Sequence, residues 1–204
     1  GSQGVTLRES SGNTGRKHGG AGRKTGQRFP EVMCVYPGHL SPGGRQAAGE
    51  LRSGLPNGKL IEPLDAVDMH RLMAKSYMVM TDSGGLQEEA PALGKPVLVL
   101  RRETERPEAV EAGTVALAGT ETADIVRLAE TLLADGAAYA RMARAVNPYG
   151  DGHACRRLAA ATESSFGLRT EAPEPFRPAQ SNTCSPPLSP PPPPPPPPSC
   201  PSPR

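Results

Sequence analysis

The run Tyr77-Met78-Val79-Met80-Thr81-Asp82-Ser83-Gly84-Gly85-Leu86-Gln87-Glu88-Glu89-Ala90-Pro91 decides the fold. An apolar stretch gives way to a polar turn with two glycines, and the turn to a helix-forming segment. The spacing predicts a buried strand, a tight turn and the first turn of a helix. The first N–H groups of a helix have no intrahelical partner, and the aligned peptide dipoles add partial positive charge there, so such a turn suits an anion. Ser83 beside Gly84 and Gly85 lets a phosphate come close to the backbone. Glu88 and Glu89, a turn further on, are poor neighbours for phosphate but good acceptors for hydroxyls such as those of a ribose. The plainer reading is a strand-to-helix turn capped by Ser83 or Asp82.

Working outward, residues 96–100 (Pro-Val-Leu-Val-Leu) read as a second buried strand, followed by the densely charged stretch 101–114. In open α/β sheets ligands sit outside the carboxyl ends of the strands, so a Gly-rich turn and a charged loop reach the same edge. Further strands are expected at 31–36, 59–61 and 114–117. Helices are expected near 43–51, after an Asp65 cap through Met69, Leu72 and Met73, over 85–93 and over 107–111 ended by Gly113. Thr120 is expected to cap a helix whose Ile125, Leu128, Ala129, Leu132 and Leu133 form one stripe. Two more helices follow, near 137–144 and 152–162. Short apolar strands alternating with helices predict an α/β fold: a single Rossmann-like domain with a parallel sheet covered on both faces.

The ends of the 204-residue chain read differently. Residues 1–30 are basic and Gly-rich, with no helical period and no strand run, and are expected to form a degenerate segment outside the domain at 31–163. From 164 to 204 Pro, Ser and Thr dominate, and Pro190 to Pro198 is unbroken. Such a run has no backbone donors and favours polyproline II, which predicts a disordered or semi-rigid tail. An SH3- or WW-type partner would suit that tail; a low-complexity extension is the blander reading. The roughly 135 remaining residues suffice for one core.

Net charge is +2, and the basic amino-terminal stretch lacks interleaved aromatics, so nucleic acid is not expected as a partner. No apolar stretch approaches the ~20 residues that span a bilayer, and no apolar h-region marks a signal peptide. Cys34, Cys155, Cys184 and Cys200 show neither pairing nor metal spacing, which predicts free thiols in a reducing cytoplasm, no metal and no cofactor.

Residues 81–120 (TDSGGLQEEAPALGKPVLVLRRETERPEAVEAGTVALAGT), together with Tyr36-Pro37-Gly38-His39-Leu40, Leu60-Ile61-Glu62-Pro63-Leu64 and Asn147-Pro148-Tyr149-Gly150-Asp151-Gly152, resemble the non-hydrolysing UDP-N-acetylglucosamine 2-epimerases. Several spaced motifs agree in order across about 31–161. The resemblance implies the UDP-binding, carboxyl-terminal half of a two-domain GT-B arrangement. It also implies interconversion of UDP-N-acetylglucosamine and UDP-N-acetylmannosamine by elimination and re-addition of UDP, through a 2-acetamidoglucal. By the same resemblance Ser83, Gly84 and Gly85 hold the UDP phosphates and Glu89 accepts from the ribose, with Glu88 and Gln87 in support. Arg106 stabilises the departing diphosphate, its rival role being an ion pair with Glu103 or Glu108. His39 belongs to a regulatory site, and the chain forms a homodimer. Four departures stand out: Arg102 at a usually acidic position, Leu64 and Met69 where many relatives carry Gln and Phe at the base pocket, and Thr6 where the family's active-site His stands before Arg8-Glu9-Ser10. The acidic residues that move the C2 proton lie mostly in the family's other half, so catalysis by this chain alone is expected to be incomplete. The alternatives are a non-catalytic UDP-binding remnant and a Pro-rich interaction protein.

Overall fold

A computed structural model describes residues 3–8, 15–38, 55–171, 173 and 175. The strands are β1 (Gln3–Arg8), β2 (Val32–Pro37), β3 (Gly58–Ile61), β4 (Met78–Thr81), β5 (Val97–Val99) and β6 (Val115–Leu117). The helices are α1 (Gly15–Arg28), α2 (Ala66–Lys75), α3 (Gly84–Ala92), α4 (Pro107–Glu111), α5 (Thr122–Ala134), α6 (Gly136–Ala143) and α7 (Ala154–Ser165). The strands form one sheet in the order β3-β2-β1-β4-β5-β6. Every adjacent pair is parallel, with Val5 opposite Cys34 on one side and opposite Met78 on the other.

Parallel strands joined by helices bury both faces, and alternate side chains divide accordingly. Met78, Met80, Leu98 and Leu100 join Val5, Cys34, Tyr36 and the α5 residues Ile125, Ala129 and Leu132 in one cluster. Val79, Val97 and Val99 point the other way, to Met69 and Met73 of α2, Leu86 and Ala90 of α3 and Ala109 of α4. Each such large side chain contributes about 1.5–3 kcal/mol relative to exposure. Asp65 caps α2 as expected, its Oδ1 accepting from the Asp68 N–H at 2.8 Å. The cap of α5 differs from expectation: Glu121, not Thr120, is the N-cap residue.

The larger correction concerns residues 1–30. The stretch expected to lack both strand and helix contains β1, an interior strand with a fully buried Val5, and the 14-residue α1. The physical reason lies in the buried face of α1: Gly19, Ala21, Gly22, Thr25 and Gly26 recur at helical spacing. The face is drawn in small residues, which a search for large apolar side chains does not detect. Smallness serves close approach. A Cβ on Gly26 would lie 3.0 Å from both methyls of Leu55, and Cys34 Sγ donates to the Gly22 carbonyl at 3.5 Å. Asn57 Nδ2 donates to the carbonyls of Gly26 and Phe29 at 2.9 and 3.2 Å, satisfying groups that the end of the helix leaves over. Arg28 ties α1 to Glu130 of α5 at 2.9 Å. The helix expected near 43–51, His39 and the polyproline run lie outside the described residues.

The strand order sets the location of the site. Connections run outward from β1 to β2 and β3 on one side, and from β4 to β5 and β6 on the other. Between β1 and β4 the winding reverses, and doubly wound sheets bind ligands in the crevice at that point. Arg8, at the carboxyl end of β1, stands opposite Thr81 at the carboxyl end of β4. The turn from β4 into α3 therefore opens at the switch point.

Candidate nucleotide-binding site

Thr81 is fully buried, and its Oγ1 accepts from the Ser83 N–H at 3.0 Å, which fixes the turn. Ser83 is the N-cap residue of α3, in extended conformation (φ −80°, ψ 126°), yet makes no side-chain cap bond. Its hydroxyl is thus not committed to a cap, for which the plainer reading offered Ser83 or Asp82. The next residues, Gly84 and Gly85, begin a nine-residue helix without any acidic residue in its first turn. The N–H groups of that turn project from the helix end beside Ser83 Oγ.

The loop after β5 closes over this end. A Cβ on Gly84 would lie 3.3 Å from Glu105 Oε1 and 3.8 Å from Arg106 Nη2. Gly84 has an ordinary backbone conformation, so here glycine supplies space, not an unusual φ. A short chain of bonds holds Arg106 in place. Gln87, fully buried on α3, accepts from Thr104 Oγ1 at 2.7 Å. Thr104 Oγ1 in turn accepts from the Arg106 N–H at 3.1 Å. Arg106 Nε donates to Glu88 Oε1, and Nη1 to the Glu105 carbonyl at 3.3 Å. The partner of Arg106 is therefore Glu88, not the Glu103 or Glu108 of the rival sequence reading. This hydrogen bond pushes the guanidinium pKa above its ordinary value, against a smaller desolvation effect. Arg101 pairs with Glu105 at 3.2 Å. Arg102 turns away from the helix end to Glu121 at 3.8 Å.

Glu89, a turn along α3, pairs through Oε2 with His70 Nε2 of α2 at 2.9 Å. Its Oε1 would be 3.6 Å from a Cβ on Gly85, so this carboxylate reaches toward the amino-terminal turn. Met69 is only 4% exposed and serves the core beneath α2, with Leu64 packed at its border; neither presents a flat face of the kind an aromatic would. In the 147–152 segment, Asn147 Oδ1 accepts from the Tyr149 N–H at 3.2 Å. Tyr149 packs on the same core cluster as Leu86, and its pKa is raised, by desolvation first and then by Glu108. Asp151 takes two bonds from Arg157, at 2.8 and 2.5 Å. Together with the His153 N–H, they hold its carboxyl well below the usual range.

The structure thus brings Ser83, Gly84, Gly85, Glu89 and Arg106 to one end of α3. Sequence reasoning missed three contributors: His70, Thr104, and Gln87 as the anchor of the Arg106 loop. His70 flanks the buried Met69 and Met73 on α2, where a polar residue ordinarily signals a solvated edge; only the packing of α2 on α3 gives it a partner. Among the described residues no group of three or more His, Cys, Asp or Glu could hold a metal ion. No helix among them is long and apolar enough to cross a membrane.

Comparison with known proteins agrees with this geometry. The family profile described as UDP-N-acetylglucosamine 2-epimerase matches residues 9–163. The UDP-N-acetylglucosamine 2-epimerase of Bacillus subtilis is 52% identical over 148 residues, covering 72% of this chain and 39% of the relative. The S. aureus MnaA–UDP co-structure superposes with a TM-score of 0.80 at 39% identity, over 86% of this chain and 49% of that one. The Neisseria meningitidis UDP-GlcNAc 2-epimerase bound to UDP-GlcNAc gives 0.75 at 39% identity, over 81% and 45%. The chain spans less than half the length of each of these relatives. An α/β domain wound 3-2-1-4-5-6, with a helix at its switch point whose N-cap serine makes no side-chain cap bond and a profile match across most of its length, belongs to the UDP-N-acetylglucosamine 2-epimerase family.

Proposed function

We propose that this domain binds the UDP moiety of UDP-N-acetylglucosamine, as part of an isomerase that interconverts it with UDP-N-acetylmannosamine by eliminating and re-adding UDP. The observation that carries this reading is the amino terminus of α3, where Ser83 makes no cap bond and Arg106 Nη2 stands 3.8 Å from the Cβ position of Gly84. In this reading the diphosphate takes the N–H groups of the first turn and the Ser83 hydroxyl. Arg106 faces the charge that grows on the leaving diphosphate as the C1–O bond breaks, and interactions that strengthen with developing charge lower the barrier. Glu89 accepts from a ribose hydroxyl. The groups that move the C2 proton are assigned to a part of the enzyme outside residues 3–171, in keeping with the 39% span of the B. subtilis relative. The same reading expects a cytoplasmic homodimer, for which light scattering is the measurement.

Calorimetric titration with UDP tests the binding. Saturable binding that Arg106→Ala weakens is expected; a flat titration to millimolar UDP refutes it. The 204-residue chain assayed alone is expected to yield no UDP-N-acetylmannosamine. Product formed by the chain and lost in Ser83→Ala would overturn the assignment of the proton-moving groups.

A further inference from the structure

Glu89 is half-exposed on α3, and His70 is half-exposed on α2. An unrestrained glutamate at such a position samples several rotamers, and each one frozen on binding costs free energy. Here one carboxylate oxygen is already engaged: Oε2 meets His70 Nε2 at 2.9 Å. The other, Oε1, lies on the Gly85 side, 3.6 Å from the Cβ position of that glycine, and has no hydrogen-bond partner among the described residues. Donation by the imidazole N–H thus fixes which oxygen faces the first turn of α3. The restraint comes from a different helix, so it also registers α2 against α3 at the mouth of the site.

We infer that His70 is a positioning residue that holds the Glu89 carboxylate with one oxygen directed at a nucleotide hydroxyl, making this pair a determinant of ribose over deoxyribose selectivity. The inference rests on the UDP-binding reading above and adds a residue that reading does not use. His70 touches no ligand; it acts through Glu89. A hydrogen bond this exposed is individually weak, so the expected effect is modest, about fivefold in affinity, or about 1 kcal/mol. The selectivity pattern is more telling than the size.

The test is calorimetry of the full chain with two probes, UDP and 2′,3′-dideoxyuridine diphosphate, on the unaltered protein and on His70→Ala and His70→Gln. The unaltered chain is expected to prefer UDP. His70→Ala should weaken UDP about fivefold and leave the dideoxy probe within about twofold. His70→Gln, whose amide N–H can replace the imidazole donor, should recover most of the loss. Equal weakening of both probes would show a merely structural role and overturn the inference, as would no weakening of either. No preference for UDP in the unaltered chain overturns it through Glu89. Failure of both probes to bind the unaltered chain removes the UDP-binding reading, and this inference with it; UDP binding that His70→Ala leaves intact removes this inference alone.

Discussion

Gly84→Ala separates the folding role of the α3 turn from its binding role. Gly84 is the first residue of α3 and has no positive φ, so alanine fits its backbone. Replacing glycine at a compatible helical position stabilises by about 0.4–1 kcal/mol, chiefly by restricting the unfolded chain. Against this stands one close contact, 3.3 Å to Glu105 Oε1, at the far end of a flexible, exposed side chain that can shift. Stability is therefore expected to stay level or to rise, at roughly 2–4 °C in Tm per kcal/mol for a domain of this size. Binding is expected to move the other way. The new methyl stands between the first turn and the Arg106 guanidinium, 3.8 Å from Nη2, where a phosphate oxygen must come within ~2.9 Å of an amide nitrogen. Losing one hydrogen bond to a charged group costs about 1.5–3 kcal/mol, a factor of roughly 10 to 150 in Kd. The assay pairs a thermal melt without ligand with calorimetric titration of UDP and of uridine. Uridine, which lacks phosphate, should bind both proteins alike. A Gly84→Ala protein that melts normally and binds UDP within twofold of the unaltered chain refutes the phosphate assignment.

Three further outcomes follow from other parts of the structure. Thr104→Val strands the Arg106 N–H and the buried Gln87 amide, whose Nε2 already lacks a hydrogen-bond partner among the described residues; a loss of about 1–3 kcal/mol in urea unfolding is expected, and the Gln87→Leu/Thr104→Val double variant should recover part of it. Asp151 is held below the ordinary carboxylate value by Arg157 and the His153 N–H. Its contribution is therefore present above about pH 4 and is lost as pH falls through the lower folded value, so Asp151→Asn should be less stable at pH 6 while the gap closes toward pH 2 in urea titrations at each pH. Burial pushes the Cys34 thiol up to about 11, whereas Cys155 is exposed on α7. Peptide-mapped alkylation at pH 8 should modify Cys155 in the native protein and Cys34 only after unfolding, and stability should decline as pH rises from about 8.5 toward the raised value.

What was legible in the sequence was the part written in large apolar residues and in turn chemistry. Met78 to Thr81 and Val97 to Val99 are short buried runs, Asp65 is a cap with its acceptor in place, and Ile125, Ala129 and Leu132 form a stripe. Gly113, which ends α4, has φ +77°. What was illegible was written in absences. The buried face of α1 is Gly, Ala and Thr, and its stability comes from close approach to β2, Leu55 and α5, contacts supplied by distant sequence. β1 has little strand signature, yet it sits between two strands that supply all its backbone partners. Partners of exposed charges were equally hidden: Glu88 and Arg106 are 18 residues apart and His70 and Glu89 are 19, so only the fold decides that they meet.

That missed strand changes what the Ser83–Gly85 turn is. Read from β4 and β5 alone, it is one of several strand ends along a sheet edge, and a phosphate could be argued onto any of them. With β1 in place, β4 becomes the strand at which the winding reverses, and the helices that follow β1 and β4 pack on opposite faces, the arrangement that opens a crevice in doubly wound sheets. The same helix that begins beside the Ser83 hydroxyl, free of any cap bond, carries Gln87 inward, to anchor the Arg106 loop, and Glu88 and Glu89 outward, to meet Arg106 and His70. Three successive side-chain directions on one helical turn thus set one core contact, one cation and one carboxylate around the amino-terminal turn where the anion is proposed to bind. A substitution that rotates or shortens α3 should for that reason damage all three together, whereas substitutions at Arg106 or Glu89 alone should remove them singly.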